Sequence, residues 1–269
     1  TMLDFINVVS QFHIEEAVES VSPIGNGLIN ETLHVTTVGT DTPDYILQRI
    51  NDTVFTDVDL LQHNIETVTA HIRHKLEAQG EQDIDRKCLR FIETSAGKTY
   101  YKDGNGRYWR MSVFIPDTCT KEEVNPENAF CCGETFGNFE QMLVDLKEPL
   151  GETIPDFHNM ELRLRQLQEA VKADRMGRVA SVRDILGELE CSADEMCLAE
   201  RLYRKGALPK RICHCDTKVN NMLFDADGKV LCVIDLDTVM PSFVFSDYGD
   251  FLRTGANRVA EDSDAYQSV

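Results

Sequence analysis

Short β-branched segments alternate with polar breaks along the first part of the chain. Ala17 to Ile24, Glu31 to Val38 and Asp44 to Ile50 are rich in Val, Ile and Thr and are separated by Gly, Asn, Asp and Pro, which predicts strands joined by turns. Between Asp57 and Leu76 the period changes. Leu60, Leu61, Ile65, Val68 and Ile72 recur at helical spacing, so this stretch is expected to be an amphipathic helix. Lys98 to Tyr101 and Arg107 to Ile115 return to strand-like composition on either side of Asp103-Gly104-Asn105-Gly106, which has hairpin-turn chemistry.

After Pro116 the pattern is helical, over roughly Pro126 to Asp145, Asp156 to Ala173, Val179 to Leu189 and Ser192 to Lys205. The change divides the chain into an expected N-terminal lobe, 1–116, and an expected C-terminal lobe, 117–269. Three short apolar pieces follow, Ile212-Cys213, Met222-Leu223-Phe224 and Val230 to Ile234, around an Asp225-Ala226-Asp227-Gly228 turn. Strands first, then helices, then a small hairpin give an α+β protein. No internal repeat is evident.

The 269 residues suit one large domain or two lobes sharing a cleft. With 42% hydrophobic and 27% charged residues, and no apolar run near the ~20 residues that span a bilayer, a soluble protein with no membrane partner is expected. Thr1 to Phe12 lacks a basic segment followed by an apolar stretch, which favours a cytoplasmic location. Nine cysteines, an odd number, suit reduced thiols rather than structural disulfides. The net charge of −19 argues against nucleic acid, whose binders cluster Lys and Arg, and leaves a small-molecule substrate as the expected partner.

The chemistry concentrates in His214-Cys215-Asp216-Thr217-Lys218-Val219-Asn220-Asn221, followed by Val233-Ile234-Asp235-Leu236-Asp237. Phosphoryl transfer gains mainly from positioning and charge neutralisation, so it needs few groups. One carboxylate must face the accepting hydroxyl, and oxygen ligands must hold Mg²⁺ between the ATP phosphates. Asp216, Asn221 and Asp235 supply that set, and Lys218 suits a place against the γ-phosphate. The plain alternative is a polar surface loop followed by a buried strand with an acidic end. The ordered set, with strands around it and the lobe change upstream, outweighs that alternative.

This segment looks like the catalytic loop and metal-binding Asp of the aminoglycoside phosphotransferase, choline kinase and protein kinase superfamily. Asp-Thr-Lys-x-Asn-Asn with Val-Ile-Asp-Leu-Asp-Thr resembles the N-acetylhexosamine 1-kinases most closely. The resemblance implies a protein-kinase-like two-lobed fold, with an N-terminal antiparallel sheet lobe and a mainly helical C-terminal lobe. It implies ATP and Mg²⁺ as cofactors, Asp216 as the catalytic base, Asn221 and Asp235 as magnesium ligands, and His214 as a structural residue. Asp247, in Ser246-Asp247-Tyr248-Gly249-Asp250, resembles the buried Asp that braces the catalytic loop; a helix cap is the ordinary alternative. Cys215 is a departure, because these kinases usually carry Gly there.

Further resemblances lie upstream. Gly25, Asn26 and Gly27 stand where a kinase folds a loop over the phosphates, although Gly-x-Gly also suits an ordinary hairpin turn. Arg49 occupies the place of the phosphate-contacting Lys, and Glu66 is the candidate partner carboxylate, with a solvated helix face as its alternative. Phe114 and Ile115 fall at the hinge that would present backbone groups to adenine. Glu152-Thr153-Ile154-Pro155-Asp156-Phe157-His158-Asn159 again resembles the sugar 1-kinases, and is otherwise a helix start with Pro155 and a capping Asp156.

The resemblance implies transfer to a sugar hydroxyl, foremost the anomeric hydroxyl of an N-acetylhexosamine, with Asn159, Asp250 and Arg253 as candidate acceptor contacts. An aminoglycoside, choline or another amino alcohol is the alternative acceptor. A hydrolase using His214 and Asp216, or a non-catalytic nucleotide-binding pseudokinase, is the alternative from another class. Gly97-Lys98-Thr99 is no P-loop, since Ile92 stands where that pattern needs Gly. A zinc site on Cys213, His214 and Cys215 is disfavoured, because consecutive residues do not readily reach one tetrahedral ion.

Overall fold

The computed structural model describes residues 2–25, 29–257, 259 and 263. It opens with α1 (Met2–Val9), which the strand-and-turn pattern did not predict. The sheet follows with β1 (Val18–Pro23), β2 (Glu31–Thr37) and β3 (Tyr45–Ile50). After α2 (Val58–Ala78) and the one-turn α3 (Ile84–Lys87), β4 (Tyr101–Lys102) and β5 (Tyr108–Val113) complete it. The strands lie in the order β1-β2-β3-β5-β4, every neighbouring pair antiparallel. The strand expected at Lys98 to Tyr101 is shorter and shifted: only Tyr101 of it, with Lys102 beyond, pairs with β5 as β4.

Strand alternation sorts the sheet into two faces. Leu33, Val35, Tyr45, Leu47, Trp109 and Met111 turn outward, into a core that Val8, Val9 and Phe12 cover. This is why α1 forms part of the fold: without it the outer face would leave a wide apolar surface in water. On the inner side lies α2. Asp57 caps its start by accepting the Leu60 N–H at 2.9 Å, and Leu61, Ile65, Val68 and Ile72 form its buried stripe, as the helical period predicts.

Past Pro116 come α4 (Ala129–Met142), α5 (Met160–Ala173), α6 (Arg183–Met196) and α7 (Leu198–Arg204). The break expected between Leu189 and Ser192 falls instead at Cys197, because Ser192 is carried inside α6 rather than capping a new helix. Then follow β6 (Arg211–Cys213), β7 (Met222–Phe224), β8 (Val230–Val233), β9 (Met240–Ser242) and α8 (Val244–Gly255). The hairpin expected around Asp225 to Gly228 is β7 with β8, while β6 pairs with β9, beyond the reach of local pattern. The result is the expected α+β architecture, an antiparallel sheet region followed by a mainly helical one. One core runs through both, joining Leu61, Ile65 and Val68 of α2 to Phe139 of α4, Leu143, Leu236 and Val239. Among the described residues no helix is long and apolar enough to cross a membrane.

Candidate active site

The loop between β6 and β7 carries Asp216, and its conformation is set by buried hydrogen bonds. The Asp247 carboxylate accepts the His214 N–H at 2.7 Å and the Cys215 N–H at 2.9 Å, and its backbone carbonyl accepts the Thr217 hydroxyl at 2.7 Å. Asp247, on α8, therefore braces the loop and is not simply a helix cap. His214 is fully buried between the rings of Phe136 and Phe139. Its Nδ1 accepts the Asp216 N–H at 3.3 Å, so the proton resides on Nε2, which donates to the Ile234 carbonyl at 2.9 Å. One imidazole thus ties the Asp216 loop to the residue before Asp235.

Cys215 makes the loop turn. It is buried and holds φ at +66°, a conformation natural to Gly, which answers how this chain replaces the Gly of the resembling kinases. Burial drives the thiols of Cys213, Cys215 and Cys232 upward, away from the thiolate form a zinc site requires.

Asn221 donates its amide to the Asp216 carbonyl at 2.8 Å and to the Asp216 carboxylate at 3.2 Å, which leaves the amide oxygen as its available ligand atom. The Asn221 carbonyl accepts the Ile234 N–H at 2.9 Å, so Asp235 follows directly, in the turn just past the end of β8. Lys218 places its Nζ 3.5 Å from Asp216 Oδ1. The four residues expected to do the chemistry are therefore neighbours in space. Asp235 is exposed, yet desolvation by the surrounding protein, and next the Asp237 carboxylate, push its pKa up to about 6. Two hard oxygen ligands beside excess negative charge fit a divalent cation of the Mg²⁺ type.

Several upstream expectations change. Arg49 is half exposed on the outer face of β3, 3.8 Å from Glu31 on β2, and does not reach Glu66. It shares strand parity with Tyr45 and Leu47, so it turns away from the inner side. Glu66 is exposed on α2 and accepts the Thr99 hydroxyl. The inward position on β3 belongs to Gln48, opposite Arg110 on β5. Gly25 has φ of +72°, while Asn26 and Gly27 lie outside the described residues.

At the hinge, the Phe114 N–H is bonded to the Asp44 carbonyl at 2.9 Å and the Ile115 carbonyl accepts the Thr118 hydroxyl at 2.9 Å. The Phe114 carbonyl and Ile115 N–H are the groups left for a planar base. A cavity of about 380 Å³ opens beside this segment, bounded by Asp41 to Asp44 and Arg86.

The three expected acceptor contacts have local duties. Asn159 caps α5 by accepting the Leu162 N–H at 3.2 Å, Asp250 accepts the Thr217 N–H at 2.9 Å, and Arg253 bonds Asp250 at 2.8 Å. Sequence reasoning passed over His158, the neighbour of Asn159. Its ring stacks on Phe157 at 4.5 Å, its buried Nδ1 has no hydrogen-bond partner, and it lines a cavity with Cys215, Ser242 and Phe243. Burial pulls its pKa down against the attraction of Asp250, Asp247 and Asp216. The sequence signal was the Phe157-His158 pair itself.

Glu140 of α4, Cys213 and Asp247 also cluster, with ligand atoms within 4.8 Å of one another. Burial, then Asp247, pushes Glu140 up to about 8, so the pair reads as a protonated carboxyl donating to a carboxylate rather than as a metal centre.

An antiparallel sheet followed by a helical region, with the Asp216 loop beside the Asp235 turn, is the arrangement of a kinase-like phosphotransferase acting on a hydroxyl acceptor. The chain belongs to the phosphotransferase enzyme family, whose model matches residues 20–268. Among solved structures it is similar to an aminoglycoside phosphotransferase from Alicyclobacillus acidocaldarius, at 18% identity and a TM-score of 0.61, covering 94% of this chain and 71% of that one. It is also similar to an amicoumacin kinase in complex with AMP-PNP, Ca²⁺ and Ami, at 14% identity and a TM-score of 0.58, covering 99% of this chain and 73% of that one. A kanamycin-bound and GDP-bound aminoglycoside phosphotransferase matches at 13% identity and a TM-score of 0.58, covering 94% and 78%. At these identities the likeness is one of fold.

Proposed function

We propose that the chain transfers the γ-phosphate of ATP, as its Mg²⁺ complex, to a sugar hydroxyl, foremost the anomeric hydroxyl of an N-acetylhexosamine. The observation that carries the reaction is the grip of Asn221 on Asp216, at 2.8 and 3.2 Å, with Asp235 in the turn that follows the adjoining strand β8. In this reading Asp216 accepts the hydroxyl proton as the oxygen attacks. Asn221 and Asp235 hold the cation, which offsets charge on the phosphates, and Lys218 offsets charge near the γ-phosphate. The division at Pro116 into a nucleotide lobe and an acceptor lobe belongs to the same reading. The sugar rests on the Asp-Thr-Lys-x-Asn-Asn and Glu-Thr-Ile-Pro-x-Phe-His motifs, with His158 in the latter.

A cationic aminoglycoside is the second reading. It is favoured by the carboxylates of Glu152, Asp156 and Glu200 around the cavity beside Cys215, and the similar solved structures include aminoglycoside phosphotransferases.

Two measurements test these readings. Asp216→Asn is expected to lower turnover by ~10²–10⁴-fold with little change in nucleotide affinity; a matching loss of nucleotide binding contradicts the base role. ATP consumption with N-acetylglucosamine, N-acetylgalactosamine, glucose, kanamycin, choline and homoserine, with phosphorus NMR of the product, decides the acceptor. Turnover with kanamycin or choline and none with either hexosamine removes the sugar reading.

A further inference from the structure

Arg110 is an unusual cation. It is 3% exposed, and strand parity turns it to the inner face of β5, opposite Gln48 and away from the cluster that buries Trp109 and Met111. Among the described residues of β1, β2, β3 and β5, it is the only Arg or Lys on that face. Its Nε donates to Gln48 Oε1 at 2.9 Å and its Nη1 to Gln62 Oε1 of α2 at 3.4 Å. Nη1 also stands 2.5 Å from Oδ1 of Asp237, which is 2% exposed. That approach is close but off the alignment of a hydrogen bond, so the contact is chiefly coulombic.

The second oxygen of Asp237 accepts the Asn30 amide at 2.6 Å, and the Asn30 carbonyl oxygen accepts the Asn51 N–H at 2.9 Å. Asp237 is therefore held from two sides by the sheet region, by Arg110 on β5 and by Asn30 just before β2. Its own backbone carbonyl accepts the Thr153 hydroxyl at 2.7 Å, which anchors it to the segment before α5. Asp237 follows Asp235 by two residues, in a single turn from Leu236 to Thr238. A buried carboxylate so close to Asp235 would repel it without a fixed counter-charge, and an Arg fork held by two glutamines supplies one in a set orientation.

We propose that Arg110 is a positioning residue for the metal site: acting through Asp237, it holds the Asp235 turn against the nucleotide-side sheet in the pose that binds the metal–nucleotide complex. This rests on the reading of Asp235 as a metal ligand. The Arg110 contacts also take the place of the Arg49–Glu66 pair expected from the sequence, linking the sheet to the Asp235 turn as well as, through Gln62, to α2.

Calorimetric titration with AMP-PNP, with and without Mg²⁺, tests it on wild type, Arg110→Met, Arg110→Lys and Asp237→Asn. Supporting residues around a metal site typically alter affinity by about 10–100-fold, and Arg110→Met is expected to lose that much of the Mg²⁺-dependent binding while metal-free binding is unchanged. Arg110→Lys, which keeps the charge, is expected to lose less than Arg110→Met. Asp237→Asn, close to isosteric, is expected to show the same selective loss and serves if Arg110→Met does not fold. Wild-type Mg²⁺-dependent affinity in the variants, or equal loss with and without metal, overturns the proposal. Wild-type binding that ignores Mg²⁺ overturns the metal reading of Asp235 itself, and the proposal with it.

Discussion

Cys215 takes a left-handed φ of +66° at the point where the Asp216 loop turns, with its thiol buried beside Cys213 and Met240. A side chain in that region typically costs on the order of 1–3 kcal/mol, and burying a small thiol returns a similar amount. Cys215→Gly is therefore expected to melt within about 1 kcal/mol of wild type in urea. Cys215→Val, whose branched Cβ fits a positive φ worst, is expected to lose at least about 1–3 kcal/mol and much of the activity. A Val variant as stable as wild type would remove strain from the account of this loop. Residue identity marks Asp216, Asn221 and Asp235 as candidates, because their order along one loop and one turn is a local property. It said nothing of Arg110, which no motif marks.

At the scale of elements, α4 and α8 meet beside the Asp216 loop through Glu140 and Asp247. Asp247 spends its oxygens on the His214 and Cys215 N–H groups, and Glu140 holds its proton, raised from 4.5 to about 8 by burial first and then by Asp247, against a smaller opposing pull from Arg211. Between those values the folded protein retains a proton that the unfolded chain releases. This contribution to stability is full below about pH 4.5, falls as pH rises through about 8 and changes no further above that. Glu140→Gln keeps a donor but cannot titrate. The melting temperature of wild type is expected to fall relative to Glu140→Gln between about pH 5 and about pH 8.5. Parallel profiles for the two proteins would show that Glu140 titrates normally. The periods that announced α2 and the β7–β8 hairpin are local, whereas α1 and β9 are too short to carry a period and exist because the fold offers them a surface.

For the whole molecule, Asn64 shows how the two regions are joined. It is fully buried on α2, donates to the Gly151 carbonyl at 2.8 Å and the Val239 carbonyl at 3.1 Å, and accepts the Gly151 N–H at 3.3 Å. Asn64→Leu would strand these groups out of water, and a loss of about 2–4 kcal/mol in urea unfolding is expected. A change under about 0.5 kcal/mol would mean that the groups find other partners. The sequence by itself determined most of the strands, the long helix and the order of sheet before helices, and marked the candidate motif from His214 to Asp237, because each depends on residues close together in the chain. Only the tertiary structure decided that Arg49 faces outward and Arg110 inward, since the side of the sheet that receives α1 sets which strand parity is core. It alone brought Asn30 to Asp237 and Glu140 to Asp247, pairs far apart in sequence whose meeting depends on how the shared core packs.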